Sequence, residues 1–521
     1  MKSSNVLFAL LVVGCASQTP APAIPLVSSV SSPRSGDEPP AVNAITEGDL
    51  RRDMFVVAGD AMRGREAGTI DELRASMWLA DRAREAGLRP AGDNDTYFQW
   101  WSMRRTRPSP SNHVTIGGHQ LELWYDVAVT SNVNATVDLP IVWIGDKTGN
   151  DLSGMDLTGK AVAATVLPLA NPPAADLSLR NWRYSNAAIN QRANAITQAG
   201  AAAVILVNGD TPELEAGFNR IAQTRERGSY TIDSVRVNAA AGPAMAPQSG
   251  RRPGVPVVWL RHDMEPLVRA DGARFAASLS TETFVYPSVN IVAKVVGADP
   301  QRRGEYVLFS GHQDHDGVRY PAEAGDSIYN GADDNASVAV AMLAIGRAVA
   351  SHPMARSALF VWHGAEERGL LGSTWHARHP VVPKASIVAV INGDMIGRNN
   401  PDSAALLGVQ PPHLNSRELA AAAFRANDIA GKFIIDTTWD RTSHPEGWYF
   451  RSDHLPYARE GIPAIMFSTL LHPDYHTPRD NPDRIDIVKL ARMTKWMYTT
   501  GWIVGNAKER PTVVSGFKLE R

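Results

Sequence analysis

Cysteine is nearly absent from this chain: Cys15 is the one thiol in 521 residues. That excludes a disulfide within the chain and any metal site built on thiolates, so a metal here has to be held by His, Asp and Glu. An excess of either charge is also missing. Lys and Arg number 52 against 54 Asp and Glu, for a formal net charge of −2, and nothing in that balance invites nucleic acid or an anionic membrane surface. There are no internal repeats, which argues against a solenoid. Beyond the first residues no apolar run is long enough to span a bilayer. What remains is a globular composition on a chain too long for one ordinary core, which predicts two or three domains.

The N-terminus stands apart. Lys2 precedes an unbroken apolar run, Val6 to Val13, which is too short for a permanent membrane helix and suits a signal peptide. The run closes as Val12-Val13-Gly14-Cys15, and a small residue directly before a lone cysteine resembles the bacterial lipoprotein signal. The resemblance implies cleavage before Cys15, lipidation of its thiol and, with Ala16 rather than Asp behind it, sorting to the outer membrane. The alternative is an ordinary signal peptide with an incidental cysteine. Gln18 to Pro40, rich in Pro, Ser and Ala, reads as a flexible tether. The expected organisation is therefore a signal peptide over 1–14 and a lipidated cysteine with its tether over 15–42. The protein would be exported, either to the periplasmic face of the outer membrane or as a secreted product.

Ile45 to Leu88 carries helical periodicity and is closed by Gly87 and Pro90. From about Asp126 the texture changes to short β-rich runs: Leu139 to Ile144, Ala161 to Leu167, Ala203 to Val207 and Val255 to Leu260, with a helical stretch at Asn186 to Gln198. This block holds few candidate catalytic groups. From Val289 strands and helices alternate. Tyr306 to Ser310, Ala358 to Trp362, Ile387 to Ile391 and Ala464 to Phe467 read as strands, and Ala336 to Val349 and Ile485 to Val504 as helices. Apolar strands separated by helices predict an α/β fold with a mostly parallel, mixed sheet covered on both faces, and ligands in such sheets gather beyond the carboxyl ends of the strands.

Five segments at those strand ends carry the chemistry: Gly311-His312-Gln313-Asp314-His315, Asn330-Gly331-Ala332-Asp333-Asp334-Asn335-Ala336-Ser337, Gly364-Ala365-Glu366-Glu367-Arg368-Gly369, Asn392-Gly393-Asp394-Met395, and His472-Pro473-Asp474-Tyr475-His476-Thr477-Pro478. Each alone has a bland explanation: an N-cap, a solvated turn, a packed tyrosine. Crowded carboxylates, however, resist ionisation unless a cation compensates them. Divalent metal ions would do so, and zinc accepts both imidazole and carboxylate while leaving room for water.

These segments resemble the motifs of the co-catalytic di-zinc aminopeptidase family, whose fold resembles zinc carboxypeptidases. The segments from Gly331 to Ser337 and from Gly364 to Ser373 are the distinctive ones. The resemblance covers about Ile45 to Lys508, and the middle block resembles the protease-associated domain that some members carry as an insertion. It implies an N-terminal part of the peptidase domain over 43–125, the insert over 126–283 and the main part over 284–521. Two Zn2+ ions are implied, with His312 and Asp394 on one, Glu367 and His476 on the other, and Asp333 bridging. Asp314 would orient the His312 imidazole, and Asp334 would sit beside the bridge, at an Asp-Asp peptide that is often cis in the family. Glu366 would be the general base toward a metal-activated water, and Tyr475 would donate to the developing oxyanion. His315 is not expected to be a ligand, Ser452-Asp453-His454 is expected to be structural, and Trp439 to Phe450 either lines a substrate pocket or is core.

The implied activity is that of a zinc-dependent exopeptidase acting on peptides, foremost an aminopeptidase. A dipeptidase or carboxypeptidase of the same group is the alternative; Arg398 and Arg451 lie in segments where a basic residue could read a substrate carboxylate. A receptor-like binding protein without metals and a one-zinc glutaminyl-cyclase-like enzyme are the remaining readings. No nucleic-acid partner is expected, and the sequence leaves the oligomeric state open.

Overall fold

The computed structural model describes residues 34–166, 180–233, 254–444, 446–517 and 519. The expected signal peptide, Cys15 and most of the tether lie outside the described residues. The end of the expected tether does not hang free: Trp502 Nε1 donates to the Gly36 carbonyl at 3.0 Å and Arg425 pairs with Asp37 at 3.4 Å, while Pro39 and Ala41 are buried. Among the described residues no helix is long and apolar enough to cross a membrane.

A ten-stranded mixed sheet forms the body. At its centre Tyr306–His312 runs parallel to Ser357–His363 on one side and to Ile387–Gly393 on the other, and Ile387–Gly393 is followed by the parallel Ala464–Ser468. These strands are apolar almost throughout and buried on both faces, as parallel strands covered by helices must be. Helices Ser337–Ser351 and Ile487–Asn506 supply cover on one face, where Phe309, Phe360 and Trp362 stack at 5.2 and 6.1 Å within the same core as Trp496 and Met497. Thr281–Val295 lines up antiparallel beside Ser357–His363, and Phe98–Pro108 pairs with it in turn.

The periodicity over Ile45 to Leu88 is not one helix. Helices Glu47–Val57 and Ile70–Glu85 are separated by a tight turn over Asp60–Arg65. Gly64 sits in that turn at φ +68°, where a Cβ would lie 2.5 Å from the Tyr329 carbonyl oxygen. The break lets Arg65 turn inward. Its buried guanidinium donates to the carbonyls of Val57, Gln313, Asn330 and Gly331 at 2.7–3.0 Å, tying two of the site-bearing loops to the N-terminal helices.

A second, eight-stranded sheet forms a separate layer with its own cores. Its middle strands, Ala135–Gly145, Ala161–Thr165, Ala203–Val207 and Val257–Leu260, are parallel, with helices Arg180–Gln198 and Pro212–Arg227 between them. The sheet also contains His113–Ile116 and His119–Gln120, through pairing with Arg274–Leu279. The inserted unit therefore starts before the expected position 126, because those short strands close the edge of its sheet. Directly after helix Pro212–Arg227 the chain returns to the body, where Ser229–Ile232 pairs with Phe98–Pro108.

Candidate metal centre and active site

Four of the segments picked out in the sequence leave the carboxyl end of a body strand or the loop beyond it, and the fifth, Asn330 to Ser337, follows strand Asp326–Tyr329 of a separate two-stranded sheet. His312 closes Tyr306–His312, Asp394 follows Ile387–Gly393 directly, and Glu366 and Glu367 follow Ser357–His363 after Gly364 and Ala365. Three non-glycine residues here are left-handed: Ala365 (φ 56°), Met395 (φ 59°) and His476 (φ 53°). Each costs on the order of 1 kcal/mol, a strain that concentrates where function fixes the backbone.

The side chains converge into two donor groups. His312, Asp334 and Asp394 form one, and His315, Asp334, Glu367 and His476 the other, with the ligand atoms of each group within 4.8 Å of one another. His312 Nε2 lies 3.2 Å from Asp334 Oδ1 and 3.8 Å from Asp394 Oδ1. His476 Nε2 lies 3.1 Å from both Asp334 Oδ2 and Glu367 Oε2, and His315 Nδ1 is 2.7 Å from Glu367 Oε1. The carboxylate common to both groups is thus Asp334.

That corrects the expected bridge at Asp333. The chain leaves regular helical geometry inside Ala332–Ala336 (Asp334 φ −103°, ψ 91°), so the two adjacent carboxylates point apart. Gly331 enters this turn at φ +55°, where a Cβ would strike the Asp334 carbonyl oxygen at 2.2 Å. Asp333 turns away from the donor groups: its Oδ1 accepts from Gly397 N at 2.6 Å and its Oδ2 lies 3.4 Å from His472 Nε2. The non-proline cis peptide joins Asp334 to Asn335, not Asp333 to Asp334. His315, expected outside the ligand set, lies within the second donor group.

Supporting residues were only partly legible. Asp314 does meet His312 Nδ1, but through its backbone carbonyl at 3.1 Å; its carboxylate is 3.8 Å away. That carboxylate accepts from the backbone amides of Glu366 (3.0 Å) and Glu367 (3.3 Å) instead, and so fixes the turn from which these two residues diverge. Asp316, two positions on, was missed: its Oδ2 lies 3.1 Å from His476 Nδ1. Asp480, also missed, accepts from the amides of Asp333 and Asp334 at 3.0–3.1 Å. The alternation His312-x-Asp314-His315-Asp316 was a signal for the first, whereas no local pattern marks the second.

Ser452 accepts from Asn392 Nδ2 at 2.8 Å, and Asp453 lies 3.3 Å from His363 Nδ1, all of them buried. Trp448 and Tyr449 are buried as well, whereas Phe450 faces the cavity beside the donor groups. Arg398 is taken up by Asp474 at 2.7 Å and Asp480 at 3.8 Å, while Arg451 reaches the cavity.

The residues suit metal ions. The donors are imidazole nitrogens and carboxylate oxygens only, the chemistry zinc accepts. His312 Nε2 and Glu367 Oε1 are buried and make no well-aligned hydrogen bond, although Asp334 and His315 lie 3.2 and 2.7 Å away, and such groups call for a partner of another kind. The pocket also draws positive charge: burial opposes protonation of His476, yet Glu367, Tyr475 and Asp334 push its pKa up to about 10. Burial drives the Glu366 carboxyl well above the usual carboxylate range against the pull of His312, and Glu367 and Asp394 add to the rise. Burial likewise raises the Tyr475 phenol. Its oxygen accepts from Arg451 Nη2 at 3.0 Å, which leaves its own proton available.

Residues 290–500 match the family model described as peptidase family M28. Over these residues the chain is similar to peptidase family M28. A leucine aminopeptidase 1 from Trichophyton rubrum is 26% identical over 252 residues, covering 46% of this chain and 64% of that protein. Aminopeptidase YwaD from Bacillus subtilis is 26% identical over 252 residues, covering 47% of this chain and 50% of that one. The chain thus spans about half to two-thirds of the length of these relatives. Two solved structures share the fold over most of both chains. An aminopeptidase from Aneurinibacillus sp. strain AM-1 has TM-score 0.56 at 17% identity, covering 90% of this chain and 96% of its own. A zinc aminopeptidase from Bacillus subtilis has TM-score 0.56 at 19% identity, covering 91% and 99%. The M28 segment contains every donor residue named above, and the coverage of the solved structures extends the likeness to the inserted layer.

Proposed function

We propose that this protein is a zinc-dependent exopeptidase, foremost an aminopeptidase, that holds two Zn2+ ions at the paired donor groups. The observation that carries the reading is the single carboxylate of Asp334 placed between two groups of His and acidic donors, with a further, largely buried carboxyl, Glu366, beside them. The match of residues 290–500 to the M28 family model and the aminopeptidase names of the relatives support it.

His312, Asp334 and Asp394 would hold one ion, and Asp334, Glu367 and His476, with His315 alongside, the other. Zinc so held supplies Lewis acidity toward a peptide carbonyl and acidifies bound water. Glu366 is the proton carrier. Its carboxyl is 3.8 Å from His312 Nε2 and reaches no imidazole as closely as Glu367 does. With a pKa raised by burial, it can take a proton from water and return it to the leaving amine. Tyr475, its oxygen already accepting from Arg451, donates its own proton to the carbonyl oxygen as charge develops there.

The test is Glu366→Gln in zinc-loaded protein, assayed on an amino-acid p-nitroanilide and on its N-blocked counterpart. The free-amine compound alone should be cleaved by wild type, and kcat should fall by ~10²–10⁴ in the variant with zinc content unchanged. Cleavage of the N-blocked compound, or full activity in the variant, overturns the assignment.

The same reading places the protein outside the cytoplasm, exported by its first residues and anchored to a membrane through Cys15, with the second layer acting as a protease-associated insert. It is supported by the apolar run before Cys15 and by the position of the chain's one cysteine. A Cys15→Ala variant found in the membrane fraction to the same extent as wild type would refute the anchor.

A further inference from the structure

The cavity beside the donor groups has a volume of ≈ 560 Å³ and contains Glu366, Glu367, Tyr475 and His476 in its wall. The rest of that wall is strongly basic. Arg319 and Arg368 come from the body, and Arg220 and Arg227 come from helix Pro212–Arg227 of the inserted layer. The chain's return to the body directly after that helix puts those last two arginines within reach of the centre.

Among the described residues, Arg227, Arg319 and Arg368 have few acidic partners. Arg227, Arg319 and Arg368 all converge on the one carboxylate of Asp316, Arg227 and Arg368 each at 3.3 Å. Asp316 is itself shared with His476. Among the described residues Glu66 is the only other carboxylate paired with these three, 3.2 Å from Arg368 and 3.9 Å from Arg227. Three largely buried guanidinium groups therefore share two carboxylates, with Arg220 close by donating to the His476 carbonyl at 3.4 Å. Arg319 Nε and Arg368 Nε are buried with no hydrogen-bond partner. Consistent with a positive field, burial together with Arg227, Arg220 and Arg368 holds Arg319 well below the usual arginine range. Clustered guanidinium forks in a partly desolvated wall are the standard means of gripping a carboxylate.

We infer that the basic wall shared by helix Pro212–Arg227 and the body is a subsite for a substrate carboxylate, so that the preferred substrates are peptides carrying one close to the scissile bond. Two sources fit: the free α-carboxylate of a dipeptide, or an acidic side chain on the terminal residue. The inference rests on the peptidase reading for its chemistry but not for its binding.

Three comparisons test it on zinc-loaded full-length protein: Leu-Gly against Leu-Gly-amide, Glu-p-nitroanilide against Leu-p-nitroanilide, and calorimetric binding of Leu-Gly and its amide to the Glu366→Gln protein. Arg227→Gln and Arg220→Gln are compared with wild type, with melting curves and zinc content as checks of folding. The expected result is a preference of at least about 10-fold in kcat/KM for the carboxylate-bearing member of one pair, carried in KM and falling to within about 3-fold in the variants. Preference in the first pair identifies the α-carboxylate, and in the second the side chain. Ratios near one in both pairs for wild type, unchanged in the variants, overturn the subsite. Tighter binding of Leu-Gly than of its amide, with no turnover of any compound by wild type, keeps the subsite and sinks the peptidase reading; equal binding together with no preference for Glu-p-nitroanilide sinks the subsite.

Discussion

Adjacent Asp333 and Asp334 give a decisive test, because the structure assigns them opposite work. Asp334 offers Oδ1 at 3.2 Å to His312 Nε2 and Oδ2 at 3.1 Å to His476 Nε2, one oxygen to each donor group. Asp334→Asn leaves one oxygen and turns an N–H₂ toward the other group, so at least one position loses its acceptor along with a unit of negative charge. Loss of a partner merely behind a ligand costs ~10–100-fold in metal affinity, about 1.4–2.7 kcal/mol. For a shared ligand that figure is a lower bound at each position. Asp333→Asn should spare the metals. The amide oxygen can still accept from Gly397 N, now 2.6 Å from Oδ1, and the loss is that of a charged hydrogen bond, ~1–3 kcal/mol of stability. Zinc per chain, measured by mass spectrometry after desalting from limiting zinc, should fall to one or fewer in Asp334→Asn and stay at the wild-type value in Asp333→Asn. Activity should fall at least ~10²-fold in the first variant, while the second shows mainly a lower melting temperature. If Asp333→Asn sheds zinc while Asp334→Asn retains it, the bridge assignment is wrong.

Tyr475→Phe keeps the ring packing and removes the donor, so kcat should fall by ~10–10³ with KM and zinc content near wild type; an unchanged kcat would remove Tyr475 from the reaction. Glu72 gives a pH prediction away from the donors. Burial, reinforced by Asp314, raises its carboxyl from 4.5 to about 8, although Gly68 N at 2.6 Å and Ser288 Oγ at 2.9 Å donate to it. Its folded pKa lies above the unfolded one, so its favourable contribution is complete below about pH 4.5 and is lost as pH rises through about 8. Glu72→Gln should remove up to about 1.4 kcal/mol per pH unit of that slope in the window. Melting temperatures of zinc-free wild type and variant should therefore diverge from pH 5 to pH 8, with the variant ahead; parallel curves would refute a neutral buried Glu72.

The body strands were readable because parallel strands covered on both faces must be apolar end to end. Tyr306–His312, Ser357–His363, Ile387–Gly393 and Ala464–Ser468 each contain the apolar run that signalled them. The break between helices Glu47–Val57 and Ile70–Glu85 was not readable, because the turn that makes it conforms to Tyr329 and Gly317, more than 250 positions away. The start of the inserted layer was misplaced for a similar reason. His113–Ile116 is too short to announce itself and becomes a strand by pairing with Arg274–Leu279.

At the site, sequence determined which residue types gather and at which strand ends, because motifs of His, Asp and Glu after apolar strands are local facts. Tertiary structure decided which of two adjacent aspartates faces both donor groups, since that depends on backbone torsions within one turn. It also decided that His315 and Asp316 join the site through Glu367 and His476. The basic wall is wholly a product of folding: Arg220 and Arg227 precede Arg319 and Arg368 by 92 to 148 residues and belong to another layer. No spacing in the chain could bring Arg227 to the carboxylate it shares with Arg319 and Arg368; the return of the chain to the body sheet at Ser229–Ile232 does.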